Sequence, residues 1–267
     1  MLRPRGRAIP AMVGLAVVAL LAVGLVVGFS SPSRSFVPEV IEARPAVASA
    51  AEVRGTWPAP PPMPTTPTSF LVADGVGPVV RLYSAPDVPL ASKPTMANPT
   101  WEGLAVVFAV LDQHDGWLHV RVSSRPNDLT AWVQASDVSL RTVPNHVVIE
   151  VGARRVTVLH GDDVLLQAPV AVGAPATPTP LGAFFVDGTV AVPDTTGPYG
   201  PFQVSVSGFS NVYSSFGGGV GQIAMHGTNH PNLVGQPISN GCVRMANDTI
   251  RQMADLAPSG TPVEIVA

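Results

Sequence analysis

The chain has 267 residues, a formal net charge of −3 and 12% charged side chains. That balance excludes the basic footprint of a nucleic-acid binder. The charged fraction is about half the usual ~25%, and with 29 prolines and 25 glycines it favours strands and Pro/Gly-rich loops over long surface helices.

Residues 1–30 read as a basic tip followed by a transmembrane anchor. Arg3, Arg5 and Arg7 precede an uncharged apolar run from about Ala8 to Phe29. At ~1.5 Å per residue the run reaches ~33 Å, enough for a bilayer core of ~30 Å. The arginines place the tip in the cytoplasm and everything after Phe29 outside. A cleaved signal peptide has a shorter apolar core of ~7–15 residues, so an uncleaved single-pass anchor in the cell membrane is expected. Cleavage would instead release the protein to the cell wall. No cysteine follows the run before Cys242, which excludes a lipoprotein anchor. Residues 31–69 form a Pro/Ala-rich linker. Its stretch from Trp57 to Pro64 is expected to be stiff and extended, close to polyproline II. A spacer fits its place between an anchor and a folded region better than a docking peptide does.

Residues 70–142 read as a small β domain. Val79 to Tyr83 alternates and breaks at Ala85-Pro86-Asp87. Leu104 to Leu111 is apolar and ends at Asp112-Gln113-His114-Asp115-Gly116. Trp117 to Val122 alternates with period two, and Ala131-Trp132-Val133 follows a polar turn at 125–128. The order of these elements is similar to bacterial SH3-like domains. Trp117 and Trp132 are read either as core residues or as the lining of a glycan- or peptide-binding groove.

Residues 145–267 form the second region. His146 to Val151, Arg155 to Leu159 and Val164 to Val172 read as a three-stranded meander, with Val164, Leu166, Ala168, Val170 and Val172 on one face. Pro and Gly shape a turn at 177–182 before the aromatic strand Ala183 to Val186. Phe202 to Phe209 is a strand, and Gln222 to Met225 places His226 at a strand end. Asn247-Asp248 offers an N-cap to a helix whose apolar face carries Ile250, Met253, Leu256 and Ala257. Pro258-Ser259-Gly260 stops it, and Pro262 to Val266 is a last strand expected to close the sheet.

The chemistry converges on Met225 to Met245, which holds the only cysteine, Cys242, and His226 and His230 of the six histidines. A free cysteine is often just a small buried apolar residue. Here it sits in a Ser-Asn-Gly-Cys turn with Arg244 two positions on, and positive charge favours the thiolate. A lone thiol in an exported chain also points to chemistry rather than architecture. A nearby imidazole is a common means of activating such a thiol. Gly227 and Gly241 allow tight turns, and a turn at Gly241-Cys242 aims backbone N–H groups at a developing oxyanion. A metal site from His226, His230 and Cys242 is disfavoured, because Pro231 breaks the helical face that H-x3-H spacing needs. No metal or other cofactor is expected.

His226-Gly227-Thr228 and Ser239-Asn240-Gly241-Cys242-Val243-Arg244-Met245 together resemble the signature of the L,D-transpeptidases with the YkuD-type catalytic domain. The meander, the Thr177-to-Gly182 loop and the Gly217-Gly218-Gly219 stretch before the His-Gly-Thr strand are also similar. One departure is Asn240, where many members carry histidine. The resemblance implies a mainly β fold: a β-sandwich catalytic domain with one C-terminal helix. It implies Cys242 as nucleophile and His226 as base, oriented by a backbone carbonyl such as that of Gly227. Gly241, Asn240 and Gly227 would support the loop and the oxyanion. Tyr199 would border the donor channel, Thr228 would sit on the substrate side, and Arg244 would hold a substrate carboxylate or brace the loop. The implied partners are peptidoglycan stem peptides, as donor and acceptor of a cross-link. An L,D-carboxypeptidase that hands the acyl group to water is the alternative enzyme, and a wall-binding protein with a silent catalytic domain is the alternative outside enzymes.

Overall fold

The structure is a computed structural model and describes residues 66–267. The expected anchor over 1–30 and the linker as far as Thr65 lie outside the described residues. Among those described, no helix is long and apolar enough to cross a membrane.

The first half holds β1 (Phe70–Gly75), β2 (Val79–Arg81), β3 (Tyr83–Ala85), β4 (Val88–Pro89), β5 (Thr95–Ala97), β6 (Val107–His114), β7 (Trp117–Arg121), β8 (Thr130–Gln134) and β9 (Val138–Val143). Seven of them form one antiparallel sheet in the order β4-β3-β8-β7-β6-β1-β9, and β2 pairs separately with β5. The β6–β7 hairpin turns on Asp115 and Gly116, both at positive φ (46° and 80°). That conformation is what a two-residue loop needs to follow the strand twist, and Asp-Gly supplies it at low strain. Period two then sorts β7. Leu118 and Val120 go to the core with Leu82, Phe108 and Val133, while Trp117, His119 and Arg121 lie on the half-exposed face. Trp117 packs edge-on to Tyr83 and Trp132 stacks on His119. Neither tryptophan is a closed core residue.

The second half holds β10 (His146–Glu150), β11 (Arg155–His160), β12 (Asp163–Pro169), β13 (Val172–Gly173), β14 (Gly182–Ala191), β15 (Phe202–Phe209), β16 (Gln222–His226), β17 (Pro237–Ser239), β18 (Val243–Arg244), α1 (Asn247–Leu256) and β19 (Pro262–Val266). Eight strands make a mixed sheet in the order β12-β11-β10-β19-β14-β15-β16-β18. β14 joins its two parts: Gly182 to Phe185 pair with β19, and Val186 to Ala191 pair with β15 across a bulge. A bulge bends a strand and increases its twist. A single core collects Val147, Ile149 and Val158 from one part and Val204, Ile223 and Met225 from the other, with Ile250 and Met253 of α1. The fold is thus mainly β with one C-terminal helix.

Three local expectations change. β12 ends at Pro169 rather than Val172, and Val164 is exposed, because the β11–β12 register shifts at Val158/Leu159. A one-residue slip moves side chains to the other face. Val170 and Val172 leave the sheet edge and turn inward, where β13 pairs with β17. β19 does not close an edge. It runs inside the sheet between β10, to which it is parallel, and β14. The helix N-cap is Ala246 with no side-chain cap, so Asn247 is its first residue and is free for another task.

The two sheets pack against each other through Val72, Val107, Ala109 and Val143 on one side and Phe185 of β14 on the other. Arg141 of β9 ties the contact, donating to Asp74 (2.6 and 3.0 Å) and to the Ser259 carbonyl (2.9 Å).

Candidate active site

β16 ends on His226, and β18 runs parallel to it with Met225 opposite Val243 and His226 opposite Arg244. This pairing brings Cys242, the residue just before β18, alongside the end of β16. The intervening loop is fixed by Ser239, which is 1% exposed. Its hydroxyl accepts the Gly241 N–H at 3.1 Å and donates to the Cys242 carbonyl. Its own carbonyl accepts the Ala174 N–H and the Thr177 hydroxyl, both at 2.9 Å. The Thr177-to-Gly182 loop therefore braces the cysteine turn from behind. Gly241 sits at φ +115°, a conformation that L side chains rarely adopt.

His226 is 2% exposed, and its Nδ1 lies 2.7 Å from the Gly227 carbonyl. A carbonyl only accepts, so Nδ1 carries the proton and Nε2 of the neutral ring keeps its lone pair. Burial lowers the pKa of this ring to about 4; Gly227 pulls it up and Arg244 pulls it down. The Tyr199 ring packs on it at 5.0 Å between centroids. Burial also pushes the half-buried Cys242 thiol up, against the Ala224 backbone and Arg244, which both favour the thiolate. The sequence suggested a thiolate stabilised by its cationic neighbour. In the structure desolvation outweighs that neighbour, and burial favours the neutral form of both the thiol and the imidazole.

His226, Cys242, Asn240, Arg244 and Tyr199 all line one cavity of about 490 Å³. Asn240 is exposed in its wall. The backbone of Arg244 exchanges two hydrogen bonds with Ala171 (2.7 and 2.8 Å), which braces the loop, while its side-chain Nε is buried and has no partner among the described residues. Thr228 is not in the cavity wall. Its hydroxyl accepts the His230 N–H at 3.0 Å and is spent on the turn. His230 is exposed and outside the cavity, and no group of three His, Cys, Asp or Glu among the described residues is placed to hold a metal.

Two contributors escaped the sequence reading. Asn247, which resembles a helix cap, instead accepts the Thr228 N–H at 2.9 Å. It sits so close to Gly200 and Gly227 that a side chain at either glycine would run into its Oδ1. Asn247 thus ties the residues that follow His226 to the start of α1. Asn247→Ala leaves the buried Thr228 N–H unpaired and is expected to cost about 1–3 kcal/mol in urea unfolding, with a slower reaction at Cys242; an unchanged midpoint would refute that tie. The other contributor is the first sheet. Arg125 donates to the carbonyls of Ser210 (2.8 Å), Tyr213 (2.7 Å) and Val220 (3.2 Å) and lies over the Phe209 ring. It holds the 210–221 segment, whose Tyr213 and Phe216 line the cavity. Trp101 and Glu102, from the loop before β6, line the same cavity.

Residues 144–265 match the L,D-transpeptidase catalytic domain, YkuD. Over 124 residues the chain is 33% identical to "Putative L,D-transpeptidase YkuD" of Bacillus subtilis, covering 46% of this chain and 67% of that one. Over 171 residues it is 31% identical to the protein of the same name from Bacillus licheniformis, covering 62% of this chain and 93% of that one. The chain belongs to the L,D-transpeptidase family. An L,D-transpeptidase structure from Mycobacterium smegmatis is similar at 17% identity and a TM-score of 0.37, over 60% of this chain and 82% of that one.

Proposed function

We propose that the protein is a peptidoglycan L,D-transpeptidase that works through a Cys242 thioester. The observation that carries this reading is the shared cavity of Cys242 and His226, with the imidazole proton locked onto Gly227 so that Nε2 is the basic nitrogen. Sγ attacks the carbonyl of the L,D-configured peptide bond in the donor stem as its proton passes to Nε2. The oxyanion faces the Cys242 N–H, since the Gly241 N–H is already given to Ser239. One such donor is typically worth ~3–4 kcal/mol in the transition state. Collapse breaks the peptide bond, and the imidazolium protonates the departing amine of the terminal D-residue. An amine of a second stem attacks the thioester, His226 accepts its proton, and the thiol leaves as the new peptide bond forms. Arg244, a cation in the wall with no carboxylate partner among the described residues, receives the terminal carboxylate of the donor. The arginines and apolar run of residues 1–30 support an anchored enzyme acting outside the membrane.

The test mixes the full-length chain in detergent with purified disaccharide-tetrapeptide and follows protein and products by mass spectrometry. A Cys242 adduct with a dimer lacking one terminal D-residue is expected. An adduct that resolves only to tripeptide means an L,D-carboxypeptidase. No adduct from folded protein overturns the reading.

A further inference from the structure

A cross-linking enzyme handles two peptides, yet the signature residues account only for the one that is acylated. The loop from Asn98 to Leu104 is built into the first sheet and reaches over the second. The Asn98 side chain donates to the carbonyls of Gly75 and Gly77 (both 2.9 Å) and accepts the Val106 N–H (3.0 Å). Thr100 donates its N–H to the Leu104 carbonyl at 2.7 Å and accepts the Gly103 N–H at 2.9 Å. Leu104 packs over Gly188 of β14, and the Trp101 ring faces Gly219. These contacts fix Trp101 and Glu102 in the wall of the Cys242 cavity. A second cavity of about 390 Å³ shares Trp101, Val220 and Gln222 with the first and continues over the first sheet along Lys93, Thr95 and Met96. The two cavities therefore meet at Trp101, Val220 and Gln222, and Trp101 is next in sequence to Glu102.

Among the described residues Glu102 is the only carboxylate in the wall of the catalytic cavity, and it makes no ion pair there. The charge that acts on it is another carboxylate, Asp187, which is held by Ser123 (2.8 Å) and Gln222 (2.7 Å). Burial and Asp187 both raise the Glu102 carboxyl pKa, while Ser205 holds it down. Such a carboxylate lacks a cation, and an ammonium bound there would supply it. Arg244 gives the same cavity an opposite pole.

We propose that Glu102 recognises the ammonium group of the acceptor peptide, and that the second cavity, reached past Trp101, seats that peptide. This rests on the transpeptidase reading. The acceptor must bring an amine, which is cationic in water, to the thioester. A fixed carboxylate in the cavity wall selects for that cation and takes up the proton the ammonium must shed, so that a neutral amine is left beside the acyl group to attack it. Glu102 then governs how the thioester divides between amine and water, not how fast it forms.

The experiment uses full-length protein, disaccharide-tetrapeptide as donor and excess disaccharide-tripeptide bearing the side-chain amine as acceptor, with Glu102→Gln and Glu102→Lys. Adduct formation on Cys242 is expected to stay within about twofold of the wild-type rate. The ratio of dimer to hydrolysed product is expected to fall about tenfold in Glu102→Gln, the size of one charge-assisted hydrogen bond, and further in Glu102→Lys. An unchanged ratio overturns the proposal. So does a parallel fall in acylation, which would place Glu102 on the donor side or in the fold; melting curves separate those two. A wild type that forms no adduct fails at the first step and refutes the transpeptidase reading itself. A wild type that acylates but only hydrolyses removes the acceptor and this proposal with it.

Discussion

Cys242→Ala is expected to abolish both the thioester adduct and the cross-linked product, a loss of roughly 10⁴-fold or more, while the protein stays folded. The separation of activity from stability follows from how the turn is held. Ser239 grips the Gly241 N–H and the Cys242 carbonyl, and β18 pairs through its backbone. None of these bonds uses the sulfur, so removing Sγ leaves the loop in place. Cys242→Ser is expected to be nearly as inactive. A hydroxyl is a far weaker acid than a thiol, and an imidazole whose pKa is lowered to about 4 is too weak a base to take its proton. Intact-protein mass spectrometry and thermal melting, run on both variants, check the two halves of the expectation. Cross-linking by Cys242→Ala protein would sink the thioester mechanism.

Local chemistry was the legible part of this sequence. The His-Gly-Thr and Ser-Asn-Gly-Cys segments carry their own turn signals, and Phe202 to Phe209, the 112–116 cluster and Pro262 to Val266 announced a strand, the end of a strand and a strand through period and turn residues alone. Partners distant in sequence were not legible. The pairing of β19 with β10 joins residues more than a hundred positions apart, and nothing in Pro262 to Val266 states which strands flank it. Asn247 failed for a subtler reason. An asparagine before a helix is a good cap by local rules, and only the tertiary approach of Gly200, Gly227 and Thr228 diverts it. Arg125 read only as part of a polar turn of the small β domain, and nothing in the sequence singled out Glu102. Their meaning appears only when that sheet is laid against the 210–221 segment. Sequence also misjudged the electrostatics at Cys242. It lists the charged neighbour, Arg244, but not the desolvation that outweighs it.

His226→Ala is expected to slow acylation by about 10²–10⁴-fold, the usual contribution of a positioned general base, and the pH profile of the wild type identifies how that base works. The ring takes up its second proton only as pH falls to about 4 rather than 6.5, so it is a neutral base well above pH 4. The rate of adduct formation should therefore rise through an acid limb near pH 4 and run flat through pH 6.5. A limb at 6.5 would mean a solvated imidazole and would revive a thiolate–imidazolium resting pair. The same shift has a consequence for stability. Because the folded pKa lies below the unfolded one, the unfolded chain binds more protons between these values, and stability rises with pH across that window. The contribution is complete above pH 6.5 and is lost as pH falls through about 4, at most about 3 kcal/mol at 1.36 kcal/mol per pKa unit. His226→Ala removes the titrating group, so urea unfolding between pH 7 and pH 4 should show a smaller acid loss in the variant than in the wild type. Equal acid losses would place the imidazole in water rather than beneath Tyr199, and the neutral-pair mechanism would fail with it.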